Sequence, residues 1–87
     1  MKRIVAERTF EVPLSDDDLR AMREGKSPCY EAYRITFVRS LVSADRKRTL
    51  CEYDAPDAES VRQASRKAGI PFDNVYPVEV VEPRGAR

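Results

Sequence analysis

The sequence has no histidine among its 87 residues, and histidine is the commonest metal ligand and the commonest general base in proteins. An imidazole metal site is therefore excluded. A glycine-rich phosphate loop is also lacking, and no serine or cysteine stands in a nucleophile motif with a visible base. The residues consequently assign no catalytic group.

The sequence also lacks an excess of either charge and a long apolar run. The 16 basic and 15 acidic side chains leave a net charge of +1, so no domain-scale charge attracts nucleic acid or an anionic membrane. No apolar run approaches the roughly 20 residues that span a bilayer, and the N-terminus has no signal-peptide pattern. Two cysteines, Cys29 and Cys51, are too few for a secreted disulfide scaffold. We expect a cytoplasmic protein that binds neither nucleic acid nor membrane.

The length suits one small domain of modest intrinsic stability. We expect residues 1–83 to form this domain and residues 84–87 to be a mobile C-terminal tail.

Four segments have the composition of β-strands, namely residues 2–10, 34–42, 48–53 and 74–82. The polar stretch between the second and third segments is typical of a hairpin loop, so these two strands are predicted to pair antiparallel.

Alternation within two of these segments predicts which side chains share a face. In the second strand, Ile35, Phe37 and Leu41 fall on one face and Val42 on the other. In the last strand, Tyr76, Val78 and Val80 are predicted to oppose Val75, Glu79 and Val81. Apolar residues therefore occur on both faces of the sheet.

Two helices are predicted from capping residues and apolar spacing. The first begins after the N-cap Ser15, is favoured by the aspartates at positions 16–18, and is interrupted near Gly25, with a second short turn over 29–33. The second is capped by Asp57 and ends at Gly69. Its predicted buried stripe consists of Val61, Ala64 and Ala68.

The order β-α-β-β-α-β predicts an α+β protein with the ferredoxin-like split βαβ fold, a four-stranded antiparallel sheet with two helices on one face. The other face would be open, although its strands carry apolar residues there. In so small a chain the available cover is a second copy, so we predict a homodimer that packs through its sheet faces.

Polar residues within the apolar strands are the candidates for a binding site. One interpretation is cross-strand ion pairing, in which Arg8 or Arg39 pairs with Glu52 or Glu79. The other is a small-molecule pocket between sheet and helices or between two sheets, in which an arginine holds an anionic or carbonyl-bearing ligand beside aromatic rings that include Phe10 and Tyr76. The predicted ligand-binding residues are Glu7, Arg8, Phe37, Arg39, Glu52, Tyr53 and Glu79.

Four stretches, at residues 7–10, 40–43, 51–57 and 66–71, resemble a known family. They include the Cys-x-Tyr-x-Ala-Pro-Asp piece that begins at Cys51 and the Ala-Gly-x-Pro piece that ends at Pro71. The sequence is similar to small bacterial proteins of unknown function that are now often labelled nickel-binding or nickel-responsive. The resemblance implies a ferredoxin-like fold, a dimer and nickel as a possible cofactor.

Without histidine, a divalent metal would need carboxylate and thiolate donors, for which Glu7, Cys51, Glu52 and Glu79 are the candidates. Cys51 and Glu52 are consecutive and point to opposite sides of a regular strand, which argues against a shared metal within one subunit. The sequence predicts no metal ligand. Three hypotheses follow: a dimeric module that binds a small molecule or a partner, a nickel-binding or other divalent-metal protein, and a cofactor-free enzyme of the dimeric α/β-barrel type.

Overall fold

The fold is described here from a computed structural model, which covers residues 1–25 and 27–85. In chain order its elements are β1 (Lys2–Thr9), α1 (Asp16–Glu24), α2 (Pro28–Ala32), β2 (Thr36–Val42), β3 (Arg48–Ala55), α3 (Ala58–Ala68) and β4 (Asn74–Val78). The turn predicted over 29–33 is thus the short helix α2.

The sheet has four antiparallel strands in the order β2-β3-β1-β4, so β1 and β3 lie at its centre. Strand β1 sends Ile4, Ala6 and Arg8 to one side, where α3 packs. We call this the helical face, and the side that carries Arg3, Val5 and Glu7 the open face. This arrangement confirms the predicted ferredoxin-like α+β fold, and the described residues form three helices instead of the predicted two.

Helix α1 begins with a reciprocal capping box. The Asp18 backbone N–H donates to Ser15 Oγ (3.0 Å), and the Ser15 backbone N–H donates to Asp18 Oδ2 (2.8 Å). The helix ends at Gly25, whose φ of 62° is left-handed. Helix α1 nevertheless has no buried residue, so it is held mainly at its ends.

Helix α3 contributes the helical layer of the core. Asp57 caps its start, and the Ile70 and Gly69 backbone N–H groups donate to the carbonyls of Ser65 and Arg66, which is the Schellman pattern. The buried residues are Val61, Ala64 and Ser65, whereas Ala68 is exposed. The predicted stripe was therefore wrong in its last member, because Ala68 borders a cavity beside Ala64 and Ile70 and is not covered by the core.

Strand β2 contains a β-bulge that changes its predicted alternation. Phe37 pairs with Tyr53, but the next pair joins Arg39 to Glu52, which leaves Val38 as the extra residue. Beyond the bulge the two faces exchange: Ser40 lies opposite the buried Cys51. Leu41, predicted to share a face with Phe37, is instead 54% exposed on the open face.

Strand β4 is shorter than predicted. It ends at Val78, so Glu79, Val80 and Val81 lie outside the sheet and are exposed. Residues 86 and 87 of the predicted tail lie outside the described residues, and the mobility of this tail and the domain boundary remain predictions. Among the described helices, none has the length and apolar character needed to cross a membrane.

The two left-handed helix ends provide a matched pair of substitutions. Gly25→Ala and Gly69→Ala should each lower the free energy of unfolding by about 1 kcal/mol, because both residues have positive φ. The loss should be larger for Gly25→Ala, since its Cβ would lie 3.2 Å from Phe37 Cδ2, whereas a Cβ at Gly69 meets nothing within 4 Å. Urea denaturation measures both, and equal losses would contradict a packed contact between Gly25 and Phe37.

Candidate functional site

Arg8 is a cation held inside the helical face. It follows the alternation of Ile4 and Ala6 along β1 and is only 4% exposed. Its Nη2 donates to the Tyr53 hydroxyl (2.9 Å) and to Ser65 Oγ (3.1 Å), and its Nη1 donates to the carbonyl oxygen of Pro71 (2.9 Å). The guanidinium therefore ties β1 to β3, to α3 and to the segment after α3.

All three acceptors of Arg8 are neutral groups. Among the residues that the structure describes, no carboxylate lies within 4 Å of its guanidinium. A guanidinium is not deprotonated in proteins, so Arg8 keeps its charge although it is buried. A permanent positive charge thus sits in the core without an opposite charge beside it.

Two cavities meet at Arg8, between α1 and the helical face of the sheet. Their volumes are about 290 Å³ and about 260 Å³. Ala21 and Met22 of α1 line both, as do Tyr53 of β3 and Ile70 after α3. We refer to the two together as the Arg8 cavity.

Aromatic rings form one wall of the Arg8 cavity. The Tyr53 ring lies 5.7 Å from the Tyr30 ring in an edge-on arrangement and 5.7 Å from the Phe37 ring, which is tilted against it. Tyr30 and Phe37 are stacked at 6.4 Å. Burial raises the pKa of Tyr30 and raises that of Tyr53 strongly, so both phenols stay neutral across the physiological range.

The open face holds a different group of the predicted site residues. Glu52 accepts a hydrogen bond from Arg3 Nη1 (3.1 Å) and one from Arg39 Nε (3.1 Å), and Arg3 also pairs with Asp54 (3.0 Å). The predicted pairing of Arg39 with Glu52 is therefore present. These contacts form an ion-pair network that needs no ligand to satisfy it.

Glu7 also lies on the open face, where Tyr76 and Asn74 of β4 donate to its two carboxylate oxygens. The hydrogen bond from Tyr76, and then that from Asn74, lowers the pKa of Glu7. Glu79 lies beyond β4 and joins neither group. Of the seven predicted residues, the structure thus brings Arg8, Phe37 and Tyr53 together in the cavity.

Several residues of the cavity were not among the predicted site residues. Tyr30 and Met22 come from the first crossover, whose path over the sheet has no signature in the sequence. Ile70 follows the helix-ending Gly69, and it both completes the cap of α3 and lines the cavity. The alternation of β1 could have separated two of the predicted site residues. It places Arg8 on the same face as Ile4 and Ala6 and places Glu7 on the opposite face.

The fold first places the chain among ferredoxin-like α+β proteins. The crystal structure of SCO4226 from Streptomyces coelicolor A3(2) is similar, with a TM-score of 0.77 and 15% sequence identity over 92% of this chain and 99% of that chain. A family model described as nickel responsive protein SCO4226-like matches residues 5–78. The chain belongs to this family. No curated protein matches its sequence.

The donor groups of one chain do not fit a nickel site. Nickel favours imidazole, followed by thiolate and carboxylate, and the chain has no histidine. Cys51 is buried on the helical face, whereas Glu52 lies on the open face between two arginines. Within residues 1–25 and 27–85, no three cysteine, aspartate or glutamate side chains form a group that would hold a metal ion.

The burial of Tyr53 predicts a loss of stability at alkaline pH. A tyrosine in the unfolded chain ionises near pH 10, and burial raises this pKa in the folded state. The stabilisation from the neutral phenol is therefore complete below about pH 10 and is lost as the pH rises further. The free energy of unfolding, measured with a denaturant between about pH 9 and 11, should decrease less steeply with pH for Tyr53→Phe than for the wild type.

The control is Ser65→Ala, which removes a different hydrogen bond to Arg8 and leaves every ionisable group in place. It should keep the wild-type dependence on pH. A Tyr53→Phe variant with the same slope as Ser65→Ala would contradict the assigned role of the phenol.

Proposed function

We propose that this protein is a small-molecule-binding module whose ligand occupies the Arg8 cavity. The observation that carries the proposal is a charged side chain, only 4% exposed, that lines an apolar cavity together with Tyr30, Phe37 and Tyr53. Apolar walls with a few polar groups at fixed positions are typical of ligand sites. The cavity of about 290 Å³ is at the small end of such sites.

The attachment of α1 supports the same proposal. Its N-terminal end is tied to the β2–β3 hairpin loop, where Arg46 Nη1 donates to Asp16 (2.7 Å) and the Leu14 backbone N–H donates to the Arg46 carbonyl (2.9 Å). Its other end turns at Gly25, beside Phe37. Between these ends Ala21 and Met22 face a space instead of a packed core. A ligand would supply the apolar contacts that α1 lacks.

The proposal includes a homodimer formed through the open face. Leu41 and Leu50, a cross-strand pair, are 54% and 39% exposed there, and Tyr76 is 38% exposed. The charged side chains on this face alternate in sign, since Arg3 and Arg39 lie beside Glu52 and Asp54. A second copy, related by a two-fold axis, would cover the leucines and match these charges.

We also propose a cytoplasmic location. It is supported by Cys29 and Cys51, which are both free thiols in the structure.

Blocking the cavity tests the binding proposal. Octanoate or 1-octanol should shift the amide resonances of Tyr30, Phe37 and Tyr53 in titrations of labelled protein. Ala21→Trp places an indole where both cavities meet α1 and should weaken the binding of these probes by roughly tenfold or more. Ala44→Trp, in the exposed hairpin loop, is the matched control and should bind like the wild type. Equal binding by the two variants, or no binding by the wild type, would reject the cavity as a ligand site.

A charge on the open face tests the dimer. Leu50→Lys should convert the protein to a monomer in sedimentation velocity, because a lysine at this position faces its own copy across the two-fold axis. Gln63→Lys adds the same charge on the exposed surface of α3 and should leave the sedimentation coefficient unchanged. A monomeric wild type, or a dimeric Leu50→Lys variant, would contradict the proposed interface.

A further inference from the structure

The charge state of Arg8 indicates what kind of ligand the cavity takes. Other arginines of the chain, such as Arg3, Arg39 and Arg46, each pair with a carboxylate although they are more exposed than Arg8. Arg8 is more deeply buried and has only neutral acceptors. Among the residues that the structure describes, Arg8 is therefore the least exposed cation, and no carboxylate lies within 4 Å of its guanidinium.

Such a placement costs free energy. Removing a charged group from water is unfavourable, and hydrogen bonds to neutral acceptors offset only part of this cost. Three of the five guanidinium N–H groups have acceptors among the described residues, one each from Tyr53, Ser65 and Pro71. An anion in the cavity would provide the missing charge, and its hydrogen bonds with arginine would be stronger than those of neutral acceptors.

The other residues that line the cavity restrict the polarity, the charge and the size of the ligand. Met22, Phe37 and Ile70 line the cavity beside Tyr30 and favour an apolar body. Asp18 also lines it, with a carboxylate that already accepts from the Ser15 backbone N–H, and it would repel a second negative charge. At about 30 Å³ for each non-hydrogen atom, as in liquid water, the larger cavity of about 290 Å³ holds roughly ten such atoms.

We infer that the ligand is an amphipathic monoanion of about this size, such as a medium-chain or aromatic carboxylate, with its charged end on Arg8 and its apolar body beneath α1. The inference rests on the proposed binding function and adds the chemical class of the ligand. Neither the ion-pair network of the open face nor the exposed arginines offer a comparable site, because each of those cations is already paired or solvated.

Three probes with one chain length and different head groups test the sign of the charge: octanoate, 1-octanol and octylammonium, compared at pH 7 in a chloride-free buffer by calorimetry or resonance shifts. Octanoate should bind roughly tenfold or more tightly than 1-octanol, and octylammonium most weakly. Equal affinity for octanoate and 1-octanol would overturn the anion inference and leave the cavity proposal standing. Absence of binding by all three probes would overturn both.

Substitutions at Arg8 test the anchor. Arg8→Lys keeps the charge and should keep the preference for octanoate over 1-octanol, whereas Arg8→Gln should abolish that preference. Arg66→Gln removes an exposed arginine of α3 and should behave like the wild type. Retention of the octanoate preference by a folded Arg8→Gln variant would show that Arg8 is not the anchor. Circular dichroism checks folding, and the head-group order of the wild type decides the inference on its own if Arg8→Gln does not fold.

Discussion

The pairing of β1 with two neighbours at once is the constraint on which the rest of the structure depends. Its backbone groups bond to β3 on one side and β4 on the other, so the alternation of its side chains is fixed across the middle of the sheet. Arg8 follows Ile4 and Ala6 into the core, while Glu7, one position earlier, faces outward. Two adjacent charges thus enter opposite environments. Glu7 accepts from neutral donors on the open face, whereas Arg8 donates to neutral acceptors inside the helical face.

Most of the fold follows from interactions between residues that are close in the sequence, and these can be recognised from the sequence alone. The N-caps Ser15 and Asp57, the left-handed ends at Gly25 and Gly69, and the alternation of β1 each have a local cause, so the order of elements was predictable. The bulge at Val38 was not, because an extra residue in a strand leaves the apolar composition unchanged and only reverses which residues follow it inward. Leu41 was misplaced for this reason alone.

The candidate site was predictable only in part, for a related reason. Arg8, Phe37 and Tyr53 were recognised as polar or aromatic residues of the strands, which is a local property. Their separation from Glu7 and Glu52 depends on face, and the cavity above them depends on how α1 and α2 cross the sheet. Met22 and Tyr30 enter the site through that crossing, and no spacing in the sequence encodes it. The sequence analysis grouped Arg8 with Glu7 and Glu52 because all three are charged, but the sheet places Arg8 on one face and the two glutamates on the other.

The sparse packing of α1 has a consequence for kinetics. A helix without a buried residue, fixed by an ion pair at Asp16 and a glycine turn at Gly25, can open without disrupting the β1–β3 pairing or the α3 core. Exchange of a molecule beneath it would then be limited by this local opening and not by global unfolding. Because α1 is sparsely packed, ligands of somewhat different shape would fit between it and Arg8. Selectivity would then depend more on the charge of the ligand than on its shape.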